Sequence, residues 1–179
     1  LDATEMGRPL YEKLGFVGEF SIGRMSGPLL RGPAPDVRPM QVSDLEAASA
    51  YDRRVFGADR RRLLATYLQG ERSSAGWLVE EDGRVRGYCL LRPGSRRWQI
   101  GPLLAEDQAT AEQLLFAAMS GSRSPTLYLD VLADKTSWIA FLQARGFRRE
   151  RGYTRMRLGE GGVRSDVSRM YLIAGAEFG

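Results

Sequence analysis

Histidine is absent from all 179 residues, cysteine occurs only as Cys89, and lysine only as Lys13 and Lys135. Without histidine the commonest general base and metal ligand is missing, so Ser-His-Asp, Cys-His and ordinary zinc chemistry are excluded, and no metal is expected. A single cysteine rules out an internal disulfide. No apolar run is long enough to span a bilayer, and Asp2 and Glu5 stand where a secretory signal would carry a basic region. The reading is a cytoplasmic chain without a membrane partner. The net charge of +4 is almost all arginine, but Arg53-Arg54, Arg60 to Arg62, Arg96-Arg97 and Arg148-Arg149 are scattered among 22 acidic residues. That pattern describes solvated faces rather than a basic stripe, and no nucleic-acid partner is expected.

The most informative feature present is an echo. Leu1-Asp2 through Arg24-Met25 is answered by Leu129-Asp130 through Arg155-Met156. Both stretches run Leu-Asp, a polar turn, an amphipathic segment, Gly-Phe and an extended stretch closing on Arg-Met. The second copy is longer before its Gly-Phe, with a step of 17 from Leu129 to Gly146 against 14 from Leu1 to Gly15. Roughly a domain's worth of chain precedes the second copy and almost none the first, so the chain reads as opening inside a domain. Residues 26–36 form a linker rich in Gly and Pro, and about 140 residues then remain, enough for one ordinary domain. The leading 25 residues are too few to fold alone and must dock on something.

Along the chain, Val37 to Met40 reads as a strand. Ser43 and Glu46 then suggest a capping box for a helix to about Val55, and Asp59 caps a second helix with Leu63, Leu64, Tyr67 and Leu68 on one face. Asp82-Gly83 between two apolar runs predicts a tight hairpin, because both central residues tolerate positive φ. A strand from Arg97 to about Leu104 leads into a helix from Asp107 to Gly121, with Ala111, Leu114, Leu115 and Ala118 inward. Thr126 to Val131, a helix from Thr136 to Arg145 and a strand through Tyr153 to Leu158 follow. Beyond a glycine-rich hinge at residues 159–162, Met170 to Ala174 reads as a last short strand. An antiparallel half joined to a βαβ half makes a mixed α/β layer fold.

This order, the Asp-Gly hairpin and above all Leu-Asp-Ala-Thr-Glu-Met-Gly-Arg-Pro-Leu-Tyr-Glu-Lys-Leu-Gly-Phe at residues 1–16 resemble the Gcn5-related N-acetyltransferase (GNAT) family in its tandem form. On that resemblance residues 1–25 are the βαβ tail of a first unit and 37–179 a second unit with a C-terminal tail. The implied fold is a central mixed sheet flanked by helices. The implied activity is transfer of an acetyl group from acetyl-CoA to a small amine or protein amine by direct attack. In the family acetyl-CoA enters a gap between two splayed strands, and a Gln/Arg-x-x-Gly-x-Gly/Ala loop wraps its pyrophosphate at a helix N-terminus, where free amides and the helix dipole favour an anion. Here Leu103, Gln108, Ala109, Thr110 and Ala111 occupy the cofactor positions. Ala111 replaces the first glycine, Gln113 the second small residue, and Glu106, Asp107 and Glu112 add negative charge, with Asp107 placed to cap the helix.

The family's catalytic tyrosine, counted back from Gly-Phe, is Tyr11 in the first copy but Leu142 in the second, and leucine cannot protonate a departing thiolate. The asparagine that steadies the pantetheine arm is Thr4 in one copy and Lys135 in the other. Among the aromatics, Tyr51 and Trp98 are candidates for the acceptor pocket, whereas Trp77 and Tyr88 read as core. Asp52, Glu80 and Glu81 are candidate bases acting through water. The expectation is an acetyl-CoA-dependent N-acyltransferase whose second unit is degenerate in cofactor binding and forms the acceptor site or a homodimer surface. The alternative is a non-catalytic ligand-binding or dimerisation module that keeps the fold.

Overall fold

A computed structural model describes residues 1–69, 74–94, 97–159 and 165–176. Residues 160–162 of the expected hinge, Arg96, and Phe178 in the tail lie outside them. In chain order the elements are β1 (Asp2–Ala3), α1 (Arg8–Lys13), β2 (Phe16–Pro28), β3 (Val37–Pro39), α2 (Leu45–Phe56), α3 (Arg61–Gln69), β4 (Ala75–Glu81), β5 (Arg84–Arg92), β6 (Trp98–Ala105), α4 (Gln108–Ser120), β7 (Thr126–Leu132), α5 (Thr136–Gln143), β8 (Arg148–Leu158) and β9 (Met170–Leu172). No helix among them is long and apolar enough to cross a membrane.

All nine strands join one mixed sheet in the order β1-β8-β2-β7-β9-β6-β5-β4-β3. Strand alternation sorts its side chains onto two faces. Cys89 and Leu91 of β5 join Leu114, Leu115 and Ala118 of α4 and Trp138 and Leu142 of α5 in one buried cluster. Tyr88 and Leu90 join Leu45, Ala48 and Val55 of α2 and Leu64 of α3 in the other. Each fully buried leucine among them contributes roughly 1.5–3 kcal/mol, so the sheet between two helical layers is the stable solution for this pattern.

Local signals place the elements. At the β4–β5 turn Asp82 and Gly83 take φ of 49° and 70°, the left-handed pair a two-residue hairpin requires. Asp107 is extended and accepts a hydrogen bond from the Thr110 amide at 2.8 Å, starting α4. Gly146, at φ 90°, ends α5 and lets the Phe147 amide donate back to the Leu142 carbonyl at 3.1 Å, which seats Phe147 in the core at 2% exposure. One cap differs from expectation. The reciprocal box is formed by Gln41 and Asp44 around a 3₁₀ turn at Val42–Asp44, while Glu46 pairs instead with Arg61. The tighter first turn moves the cap ahead of Ser43.

The leading fragment is inside the sheet. β2 runs three residues into the stretch read as linker, to Pro28, and lies between β7 and β8, pairing with both. Two buried ion pairs accompany this. Arg24 of β2 forks onto Asp130 of β7 with both N–O distances at 2.7 Å, and Arg155 of β8 grips Asp2 of β1 through its Nε and Nη2 atoms.

Candidate active site

The site is built where β6 and β7 part. They pair in parallel from Trp98 opposite Leu127 to Ile100 opposite Leu129, then diverge. β9 fills the divergence: Leu103 and Leu104 of β6 face Leu172 and Met170, Val131 of β7 faces Leu172, and the Ile173 amide donates to the Asp130 carbonyl at 3.0 Å. Gly101 makes the approach possible, because a Cβ there would lie 2.1 Å from the Ile173 carbonyl oxygen. Replacing Gly101 with alanine should therefore displace the tail backbone, destabilise the chain by about 1–3 kcal/mol, and speed hydrogen exchange of the Ile173 amide. An unchanged exchange rate would contradict this seating.

Charged groups latch the segment leading into β9. Arg169 donates to Glu106 at 2.7 Å and also bonds Asp166, whose carboxyl is held below the usual range first by the Ser168 hydroxyl and then by Arg169. The Lys135 ammonium bonds the Ser168 carbonyl and sits 4.3 Å from the centre of the Tyr171 ring. Burial holds this lysine below its ordinary pKa, with Asp166 opposing the shift. Tyr171 in turn meets Trp138 edge-on at 5.3 Å.

Beside this seam the N-terminus of α4 is self-satisfied. Its Thr110 amide is taken by Asp107, and that bond is the leading cause of the depressed Asp107 pKa. Gln108 donates to Glu112 at 2.9 Å and accepts from the Ser137 hydroxyl at 2.9 Å, tying α4 to α5. Ala111 is fully buried, whereas Ala109 is exposed. The Tyr171 phenol is pushed up by burial, then by Asp107 and Glu112, so the field around the first turn is negative. Asp107 thus occupies an amide of the first turn of α4, and β9 occupies the space between the diverging strands.

The remaining candidates are spread out. Tyr51, on α2, is buried, donates its hydroxyl to the Arg86 carbonyl at 3.2 Å and lines an open cleft of about 470 Å³ with Arg54, Arg84, Glu106 and Arg169. Burial pushes its phenol pKa up. Trp98, half-buried, opens β6, a strand that spans about 23 Å from there to Ala105; the fold does not bring it to the Tyr51 cleft. Tyr11 lies on α1, which packs along β2, and its ring meets Phe16 edge-on at 5.6 Å. Leu103 is fully buried against β9. Of the three carboxylates considered as bases, Asp52 is fully buried under Arg60, with N–O distances of 3.0 and 2.5 Å, and accepts from the Tyr88 hydroxyl, so it is a structural group. Glu80 pairs with Arg38 and Glu81 with Arg86. Sequence reading missed Gly101, Glu106 as a partner of Arg169, and the Arg24–Asp130 pair. Only the last had a visible signal, since both residues sit in the Leu-Asp and Arg-Met echo.

A mixed sheet whose two parallel strands diverge ahead of a central helix, between two helical layers, is an acetyltransferase architecture. Residues 48–172 match the family described as acetyltransferase (GNAT) domain, and the chain belongs to that family. A solved Pyrococcus horikoshii protein described as a candidate acetyltransferase superposes with a TM-score of 0.79 at 24% identity, covering 98% of this chain and 58% of that one. A GCN5-related N-acetyltransferase from Sphaerobacter thermophilus gives 0.59 at 17% identity, covering 86% and 56%. By sequence the chain is 27% identical to the uncharacterized N-acetyltransferase YitH of Bacillus subtilis over 84% of its length and 54% of that protein's. It is 26% identical to the holothin acyltransferase of a Pseudoalteromonas strain over 67% and 41%. The chain thus spans about half the length of the curated relatives it matches.

Proposed function

We propose that the chain is part of an acetyl-CoA-dependent N-acyltransferase made of two acetyltransferase units, with residues 1–25 ending the first and 37–179 forming the second. In this reading the first unit, whose helix carries Tyr11, takes acetyl-CoA and passes its acetyl group to a small amine or protein amine by direct attack. Tyr11 is the general acid. The second unit is degenerate in cofactor binding and serves as partner and scaffold. The observation that carries the reading is β9 lying in the divergence of β6 and β7, where a bound thioester arm would otherwise run. The Asp107 cap on the neighbouring helix supports it, and the relatives named as N-acetyltransferase and acyltransferase support the reaction class.

A thermal-shift comparison tests the division of labour. A ligand that binds only the native state adds about 2.7 kcal/mol at a hundred times its Kd, or roughly 5–10 °C in Tm for a chain of this size. Residues 1–179 should show no such shift with CoA, and the longer parent protein should show it. A CoA shift in residues 1–179, or the thioester bound along Gln108 to Ala111, would overturn the assignment. The filled seam also favours a second reading, a non-catalytic ligand-binding or dimerisation module. A parent protein that ignores CoA but is stabilised by an amine would select it.

A further inference from the structure

The two echoed segments are related by a local two-fold in the sheet. On β2 and β8 the pair Ile22 and Tyr153 lies at the centre, and the flanking pairs from Val17 to Ser26 have their mirrors: Ser21 with Thr154 answers Gly23 with Gly152, and Val17 with Arg157 answers Ser26 with Arg148. The two bulges are mirrored as well, one looping out Glu19 and the other Glu150. Outward from this centre Asp2 pairs with Arg155 and Ala3 with Thr154, as Asp130 pairs with Arg24 and Val131 with Gly23. Each segment has therefore handed its last strand to the other, and each strand carries an arginine onto the other's aspartate.

The symmetry stops one layer out. β7 is flanked by β9 and β6 and α5 is covered: Trp138 and Leu142 are buried, and Phe141 packs on Phe116 of α4 with ring centres 6.2 Å apart. Among the described residues β1 is an edge strand and α1 buries nothing. Leu10, the counterpart of Phe141, is 60% exposed and Leu14 61%, with Met6, Val17 and Leu158 also exposed. An amphipathic helix with its apolar face uncovered marks an interface.

The geometry points to one occupant: a second acetyltransferase-fold body, joined ahead of Leu1, that lays a strand along the free edge of β1 as β6 lies on β7 and a helix on Leu10 and Leu14 as α4 lies on α5. This rests on the two-unit reading proposed above. The relatives' uncovered length accommodates such a body, since 54% of YitH and 58% of the P. horikoshii protein are spanned. A second copy of this chain is a poor occupant, because its own β6 and α4 are already engaged by β7 and α5.

Cysteine labelling tests it cleanly because Cys89 is fully buried, and burial raises its thiol pKa far above the ordinary value. Leu10→Cys, Leu14→Cys and, as a control on a distant exposed site, Val42→Cys are made in residues 1–179 and in the parent protein, and maleimide reaction rates are compared. All three should react quickly in residues 1–179, while in the parent the two α1 sites slow by about tenfold or more and Val42→Cys does not. Equal rates at Leu10→Cys in both proteins overturn the docking. Protection already present in residues 1–179 together with a dimer mass by light scattering assigns the face to a second copy and also overturns it. A parent with no such body ahead of Leu1 overturns both docking and the two-unit reading. Protection without any CoA binding keeps the docking and sinks only the functional assignment.

Discussion

Replacing Asp130 with alanine is expected to destabilise the fold by about 3–5 kcal/mol, because it removes the partner of a buried charge. The Asp130 side chain is fully buried and that of Arg24 is 12% exposed. Arg24 donates twice to the carboxylate at 2.7 Å and the Gln99 amide donates a third bond at 2.8 Å, while Gln99 itself accepts from Arg92 at 2.9 Å. The loss removes the carboxylate to which both the Arg24 guanidinium on β2 and the buried Gln99 amide on β6 donate. Urea unfolding monitored by circular dichroism reads the effect. Asp130→Leu combined with Arg24→Met should recover only part of the loss, since an apolar pair of similar volume avoids the desolvation cost of the ions but still removes the acceptor of the buried Gln99 amide. Asp2→Ala breaks the mirror pair yet should cost less. β1 is a two-residue edge strand, and its local opening caps the penalty. Equal costs at Asp2 and Asp130 would contradict the view that the β7 side is the rigid half of the exchange.

Much of this fold was legible because its signals are local. Asp82-Gly83, the Asp107 cap, Gly146 and the inward face of α4 each encode a boundary within a few residues, and each element stands where periodicity puts it. The strand order was not legible. Nothing in Met170 to Leu172 says that it lies between β6 and β7 rather than at an edge, because alternation fixes which side chains share a face but not which strand is the neighbour. The same limit hid the place of β2: the leading fragment was read as one that must dock, and it does so as an interior strand between β7 and β8. At the candidate site the sequence did expose the Asp107 cap of the acidic first turn. It did not expose Gly101, whose importance comes from a carbonyl more than 70 residues away in sequence. The Ser43 cap failed for a local reason, a 3₁₀ turn that is capped by Gln41 with Asp44 as its reciprocal partner.

In the parent protein Tyr11→Phe is expected to lower kcat by about 10²–10⁴-fold while leaving acetyl-CoA affinity within about twofold. Phenylalanine keeps the edge-on contact with Phe16, so the substitution removes the hydroxyl and little else. The local two-fold gives the position its meaning. Leu142, which answers to Tyr11, is fully buried in the cluster that also holds Leu103, Val131 and Leu172, the residues of the seam. On the two-unit reading proposed above, a side chain at this point of the helix belongs to the seam of its own unit: Leu142 lies beside the seam filled by β9, and its counterpart Tyr11 is a phenol on α1. Only the phenol can supply a proton to a departing thiolate. Leu142→Tyr should accordingly gain no activity, because the strand in front of it stays in place. Full kcat in Tyr11→Phe, with normal folding by circular dichroism, would assign Tyr11 to packing alone and remove this chain's contribution to the chemistry.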